Sequence, residues 1–207
     1  MALNKSDMFT LIGNNLPDNT SGDITPAKLR EVTTQLADSM LYAAAGMKEV
    51  EVLRAPSTVN QLPTATGTAL QVTFGAAQGS ASNPVMVNAA GLVTFNAAGN
   101  YAVRIKLQCG RAGATGVVTL ASRILLAGAQ YGSSAAVRLD NANTIMPTES
   151  RVVINATAGQ TLAIQVVRDT VDSSINAGGL YAIQPATSGW AASPSALLVI
   201  SRLEPVT

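Results

Sequence analysis

Hydrophobic and polar positions change period partway along the chain. In roughly the first fifty residues the apolar side chains recur at helical spacing. Met8, Leu11 and Ile12 share one side of a short helix that Ser6 would cap. Leu29, Val32, Thr33, Leu36, Ala37 and Met40 form the stripe of a second helix, from Pro26 to about Ala45, with Glu31 and Gln35 outside it. Thr25 can accept from the free N–H groups at its start, Pro26 occupies the first helical position, and Gly46 can end it. A two-helix segment this short cannot bury its own stripe. It needs a partner: its own head, sister chains or a larger particle.

Pro56 to Gly67 reads as a linker, with Pro63 blocking regular pairing. Past it the period is two. Leu70, Val72 and Phe74 alternate with Gln71 and Thr73, and Tyr101, Val103, Ile105 and Leu107 alternate with Ala102, Arg104 and Lys106. Val152 and Ile154 mark a short strand, and Leu162, Ile164 and Val166 another. Leu197, Val199 and Leu203 give one face of a last strand, with Ser201 between them. Further runs at 84–87, 92–95, 117–126, 135–139 and 180–183 bring the expectation to about nine or ten strands, separated by Gly, Asn, Ser and Pro. No helical run follows any of them, so the pattern specifies an antiparallel sandwich or barrel and excludes a βαβ sheet. The expected division is a helical attachment segment over 1–54, a linker over 55–67 and a β head over 68–207. A lone sandwich would leave sheet edges that oligomerisation protects.

Composition narrows the function classes. Charged residues are 12 % of the 207, about half the globular norm of roughly 25 %, so Ser, Thr, Asn, Gln, Ala and Gly must cover the surface. That suits a shell or fibre component better than an enzyme handling charged substrates. The net charge is +1 and the 13 basic residues are scattered, which argues against nucleic acid. Residues 1–54 carry a net −2 and residues 55–207 a net +3, neither large enough to name a partner. No apolar run approaches the roughly 20 residues that span a bilayer, and Met1 to Gly13 lacks a signal-peptide pattern. A product assembled in the cytoplasm is expected.

Candidate chemistry is sparse. The chain has no histidine, which removes the usual base of hydrolytic triads and the commonest metal ligand. Ala98-Gly99-Asn100 and Gly113-Ala114-Thr115-Gly116 read as turns, not phosphate loops. Asp169 and Asp172, near Ser173, Ser174 and Asn176, read as solvated loop acids before a calcium site. Glu149 stands almost alone, and Asp140 beside Asn141 reads as turn chemistry. Cys109, the single cysteine, keeps the inward parity of the Tyr101 strand and reads as a small buried apolar residue. Trp190 lies in a loop before the last strand, either as an exposed ligand platform or as a plug over the core. The expectation is a chain with no catalytic, cofactor or metal set, and Asp169, Asp172 and Trp190 as the ligand-loop candidates.

Residues 70–203 resemble the complement/tumour-necrosis-factor type of jelly roll as it occurs in viral appendages. The residues that carry the likeness are Phe95-Asn96-Ala97-Ala98-Gly99-Asn100-Tyr101 followed by the Val103–Leu107 strand, the Val152–Val166 hairpin around Ala158-Gly159-Gln160, and Pro194 to Leu203 as a closing strand. The acid usual after the hairpin glycine is replaced by Gln160. The front of the chain, Asp18 to Pro26, then Leu29-Arg30 and Ala37-Asp38-Ser39, resembles the start of tailed-bacteriophage fibre and head-decoration proteins. The combination implies a homotrimeric knob on a virion surface, a head-decoration or head-fibre protein attached to phage capsid or tail proteins through residues 1–54. A receptor- or glycan-binding tail module, meeting a host surface glycan, is the alternative. The family's habit of burying aromatic and aliphatic residues on the threefold axis implies Tyr101, with Phe95, Val103, Ile105 and Leu107, as the trimer contact. Leu29, Val32, Leu36 and Met40 are implied as the anchor.

Overall fold

A computed structural model of the chain describes residues 47–111, 116–141, 143–170 and 178–205. Two units divide the chain: Met1–Lys48 with Glu204–Thr207, and Glu49–Leu203. The described residues are mainly β, in two antiparallel sheets, with no helix among them. The strands are β1 (Met47–Ser57), β2 (Leu70–Gln71), β3 (Val85–Val87), β4 (Val93–Phe95), β5 (Gly99–Arg111) and β6 (Val118–Leu126). They continue with β7 (Ala129–Leu139), β8 (Ile145–Ala156), β9 (Thr161–Arg168), β10 (Gly178–Leu180) and β11 (Ala196–Pro205). The helices expected before residue 46, with Leu29, Val32, Leu36 and Met40, lie outside the described residues.

β5 organises the first sheet. β8 runs along one of its edges, from Gly99↔Ala156 to Gly110↔Ile145. The other edge holds β11, from Tyr101↔Arg202 to Leu107↔Ala196, and beyond it β10, from Cys109↔Leu180 to Arg111↔Gly178. β1 pairs with β11 on the outside. The second sheet has the order β3-β4-β9-β6-β7. One edge of β9 is shared by β4 and β2, and β6 takes the other.

Strand parity explains why the two sheets face each other. Tyr101, Val103, Ile105, Leu107 and Cys109 of β5 and Ala196, Leu198 and Ile200 of β11 all enter one apolar cluster. Phe95, Leu120, Ile124, Leu162, Ile164 and Val166 meet them from the second sheet. Each fully buried Leu, Ile, Val or Phe contributes about 1.5–3 kcal/mol relative to exposure. The Phe95 and Tyr101 rings lie 4.8 Å apart between centroids, and the Tyr101 hydroxyl donates to the Ala97 carbonyl at 2.8 Å. Two tight spots shape the connections. Gly91 has φ +81°, and a Cβ there would fall 1.9 Å from the Val72 carbonyl oxygen. Ala127 and Gly128, at φ 50° and 81°, make the two-residue loop of the β6–β7 hairpin, whose turn needs positive φ at both positions.

Three sequence expectations shift. The 54/55 boundary falls inside β1, so residues 47–54 are strand where a helical segment was expected. Their period-two signal is weak: the first five residues of β1 are exposed, and the inward positions are Leu53, Ala55 and Ser57, two of them small. The expected linker is packed: Ser57, Gln61 and Pro63 are buried, and Gln61 exchanges backbone hydrogen bonds with Leu180 at 2.9 and 2.8 Å. Leu197, Val199 and Leu203 do share a face of β11 with Ser201, but it is the outward one. The core takes Ala196, Leu198 and Ile200.

Candidate functional site

Phe95, Tyr101, Val103, Ile105 and Leu107, expected at a contact between sister chains, are spent on the chain's own core. All five lie inside the protomer, between 0 and 3 % exposed. The alternation of the β5 strand is real, but a two-sheet protein spends its apolar strand face on its own core first. What β5 offers outward is Ala102, Arg104 and Lys106.

That outward face carries a charge ladder. Register places Lys106 opposite Glu149 and Arg104 opposite Arg151. Glu149 therefore sits between two cations, 3.4 Å from Arg104 and 3.1 Å from Lys106. Arg151 pairs with Glu49, and Arg54 with Glu51 at 3.0 Å. The Arg54 guanidinium holds the Glu51 carboxyl below its usual range. Between these charges lie Ala102, Val199 and Ser201, which with the charged groups line a hollow of about 240 Å³. Glu149, isolated in sequence, is thus the hub of a cross-strand cluster. Arg111, which sequence groups with Arg104 and Lys106, is buried instead and donates to the Leu139 carbonyl at 3.1 Å.

Where β7 and β8 border the two sheets, the sandwich opens. A cavity of about 260 Å³ has an aliphatic floor of Ile105, Leu107, Ile124 and Ile164 and a rim that includes Thr148, Ser150 and Ser133. Tyr131 spans this mouth, its hydroxyl donating to the Val153 carbonyl at 3.0 Å. Inward hydroxyls on β8 leave this side of the core unsealed.

The end of the molecule reached by Arg111 and Ser57 is built differently. A single carboxamide, Gln108 Nε2, donates to the carbonyls of Tyr181, Ser193 and Pro194 at 3.2, 3.3 and 2.7 Å. Ile183 and Ser193 close the loop with a reciprocal bridge at 3.0 and 2.8 Å. Asn60 Oδ1 accepts from the Ala182 N–H at 2.9 Å, and Gln184 Nε2 donates to the Trp190 carbonyl at 3.2 Å. The loop so held presents Trp190 at 69 % exposure. The indole stands clear of the core and does not plug it. Below it, Gln61 binds Ser57 Oγ and the Thr73 carbonyl through Nε2, at 3.1 and 3.0 Å, and accepts from the Thr73 N–H at 2.8 Å. Val59, Leu62, Met146 and Ile183 are also exposed apolar residues at this end.

Asp169 lies on a different connection, following β9, where its N–H donates to the Thr119 carbonyl at 2.9 Å. Asp172 lies outside the described residues. Asp140 pairs with Arg138 at 2.8 Å. Among the described residues no three Asp, Glu, Cys or His side chains converge. Cys109 is buried as its parity indicates. Burial pushes its thiol up to about 11, with the Thr148 hydroxyl acting the other way.

Two buried polar groups gave no warning in sequence. Gln61 sits in the expected linker. Arg168, at the end of β9, is buried and donates to the Pro63 and Gly178 carbonyls, clamping two connections to the sheet. Desolvation lowers its pKa, which the nearby Tyr181 partly offsets. Neither has a local pattern that separates it from a solvated polar residue.

No family model matches the chain, and no curated protein matches it.

Proposed function

We propose that the chain is a non-enzymatic structural protein of a tailed-phage virion. In this reading it is a trimeric head-decoration or head-fibre knob, carried on its N-terminal segment and built on a jelly-roll head. The observation that carries the reading is strand pairing. Leaving out β2, β3 and β10, and keeping β4 although it too has three residues, eight strands remain. The first pairs with the last (β1–β11), the second with the seventh (β4–β9), the third with the sixth (β5–β8) and the fourth with the fifth (β6–β7). One long hairpin, turning at Ala127-Gly128 and rolled into two sheets, would pair its strands in this order, which supports the jelly-roll reading. The low charge of the chain and its resemblance to phage appendages supply the rest.

With β5's inward residues committed to the core, the contact between sister chains falls to the outward face of the first sheet. Its mixed charges are nearly balanced, and among them Val153 is exposed while Ala102 and Val199 are buried. Val153, opposite Ala102, is 47 % exposed. The segment ahead of β1 makes the attachment to capsid or tail proteins at the virion surface, residues 47–54 of the expected 1–54 anchor being part of the sheet. Gold-labelled antibody against the chain, imaged on the particles whose genome encodes it, tests the location. Label at regular head positions is expected, and unlabelled intact particles contradict the proposal. One observation favours the second reading, a receptor- or glycan-binding tail knob: the rigidly framed, exposed Trp190.

A further inference from the structure

The geometry points to a saccharide site at the Trp190 loop, and we propose that it takes a neutral sugar ring stacked on the indole. It rests on the head reading above in one respect only, that the head is fixed through the end where the chain enters near Glu49.

Direction along the sheet comes first. β11 runs antiparallel to β5 from Ala196, beside Leu107, to the Tyr101 partner Arg202 and on to Leu203. β1 pairs with β11, and its Ser57 carbonyl accepts from the Ser195 N–H at 2.8 Å. Glu49 and Leu203 therefore lie at one end of the sheet, and Ser57, Ser195 and the Trp190 loop at the other. The two ends are roughly 25 Å apart at the ordinary strand rise. A head held near Glu49 turns Trp190 away from its attachment.

The loop is pre-organised. The Ile183–Ser193 bridge, the three Gln108 bonds, the Asn60 bond and the Gln184 bond fix its backbone before any ligand arrives. A tryptophan on such a frame offers a large flat contact with little side-chain entropy to lose. An exposed indole on a mobile tail would not.

Charge then selects the ligand class. Residues 55–69 and 178–201, which form and flank the loop, contain no Asp, Glu, Lys or Arg. An anionic polysaccharide, a phosphate or an anionic membrane surface would call for Lys or Arg beside the aromatic ring. The charged groups at this end are Arg111 and Arg168, both buried and donating to backbone carbonyls, and Asp169 with the Arg138–Asp140 pair, which belong to the second sheet. The loop sequence around Trp190 supplies hydroxyls and a carboxamide, Thr187, Ser188, Ser193 and Gln184, and Asn60 joins it through the Ala182 N–H, beside the exposed apolar Val59, Leu62 and Ile183. A pyranose has an apolar C–H face for the indole and neutral hydroxyls for such groups.

Trp190 is the only tryptophan, so the fluorescence of the full chain reports on this site alone. The probes are maltohexaose, cellohexaose, N-acetylglucosamine hexamer and mannohexaose. Heparin and phosphatidylcholine vesicles serve as the charged and the apolar comparison. At least one neutral oligosaccharide is expected to change the emission saturably. Trp190→Ala, read by calorimetry, is expected to weaken that ligand about tenfold or more, equivalent to about 1.4 kcal/mol, and Trp190→Tyr to recover part of it. No change with any neutral probe overturns the proposal. So does a response only to heparin or only to vesicles, or saccharide binding that Trp190→Ala leaves intact. A trimer that binds none of the sugars would sink this inference and spare the head reading. A monomer that binds one would do the reverse.

Discussion

The outward face of the first sheet and the Trp190 end belong to one protomer yet are built on opposite rules. On the face, Glu149 pairs across strands with Arg104 and Lys106, Glu49 with Arg151, and Glu51 with Arg54 within β1. At the Trp190 end, two long stretches contain no charge, and order comes from carboxamides bonded to backbone carbonyls. Exposed ion pairs add little stability, about 0–1 kcal/mol each. Their concentration on one face is better explained by what they select: a complementary charged surface in one register, with like-charge mismatches disfavoured. A rigid neutral loop selects by shape and by hydrogen bonding. In the proposed function the first surface is the fixed contact with sister chains and the second the contact with something outside.

The two surfaces should separate most sharply on substitution of Val153. Val153→Asp places a carboxylate at the centre of the proposed sister-chain contact. It is expected to convert the trimer wholly to protomers in light scattering, while the protomer's own melting barely moves because the position is half exposed. Trp190→Ala should leave the mass unchanged. A trimer that survives Val153→Asp moves the contact off this face.

Next in size is the support beneath the Trp190 end. Gln61→Ala strands the Thr73 N–H and the groups that Gln61 Nε2 satisfies. A loss of about 3 kcal/mol is expected in denaturant unfolding, together with altered Trp190 emission in the folded state. Normal stability would mean that the Gln61 network does not hold the connection from Ser57 to Thr73.

Cys109 gives the same end a pH signature. Its partners across the strands are Leu180 and Met146, one layer below the surface. The folded thiol stays neutral to about 11, above the ordinary thiol value of 9.0. The raised folded pKa means that this contribution is intact below about 9 and is lost as pH rises from 9 through 11. A fall of roughly 2 kcal/mol across that window is expected, and Cys109→Ala should flatten it. Thiol titration of the native protein should be slow and become fast in denaturant.

The smallest effect belongs to the hairpin loop, remote from both surfaces. Ala127 adopts a φ that costs a residue with a Cβ about 1 kcal/mol. Ala127→Gly should therefore raise stability by about 0.5–1 kcal/mol, less whatever the more flexible unfolded chain takes back, with mass and sugar response untouched.

How much of this was legible in the sequence follows from where the physics is local. The alternation from Tyr101 to Leu107 announces a half-buried strand, and β5 is that strand. The inward parity of Cys109 is equally local. What parity does not say is whether the apolar side meets the protomer's own second sheet or a sister chain. Phe95, Tyr101, Val103, Ile105 and Leu107 were expected in the second role and occupy the first. β1 was missed because its inward side offers Ala55 and Ser57 where a readable strand offers Val or Ile. Trp190 carried two readings until the Gln108 and Asn60 bonds, made by residues far away in sequence, settled that it stands clear of the core. Gln61 and Arg168 are buried by contacts with connections, and connections have no periodicity to read.

The account turns on the charged face being a contact between sister chains, and the mass of the full chain in solution tests that most directly. Light scattering after size exclusion should give about 63 kDa, three times the 21.1 kDa of one chain, and should hold that value on dilution through the micromolar range. A clean species at 21.1 kDa across the same range would contradict it.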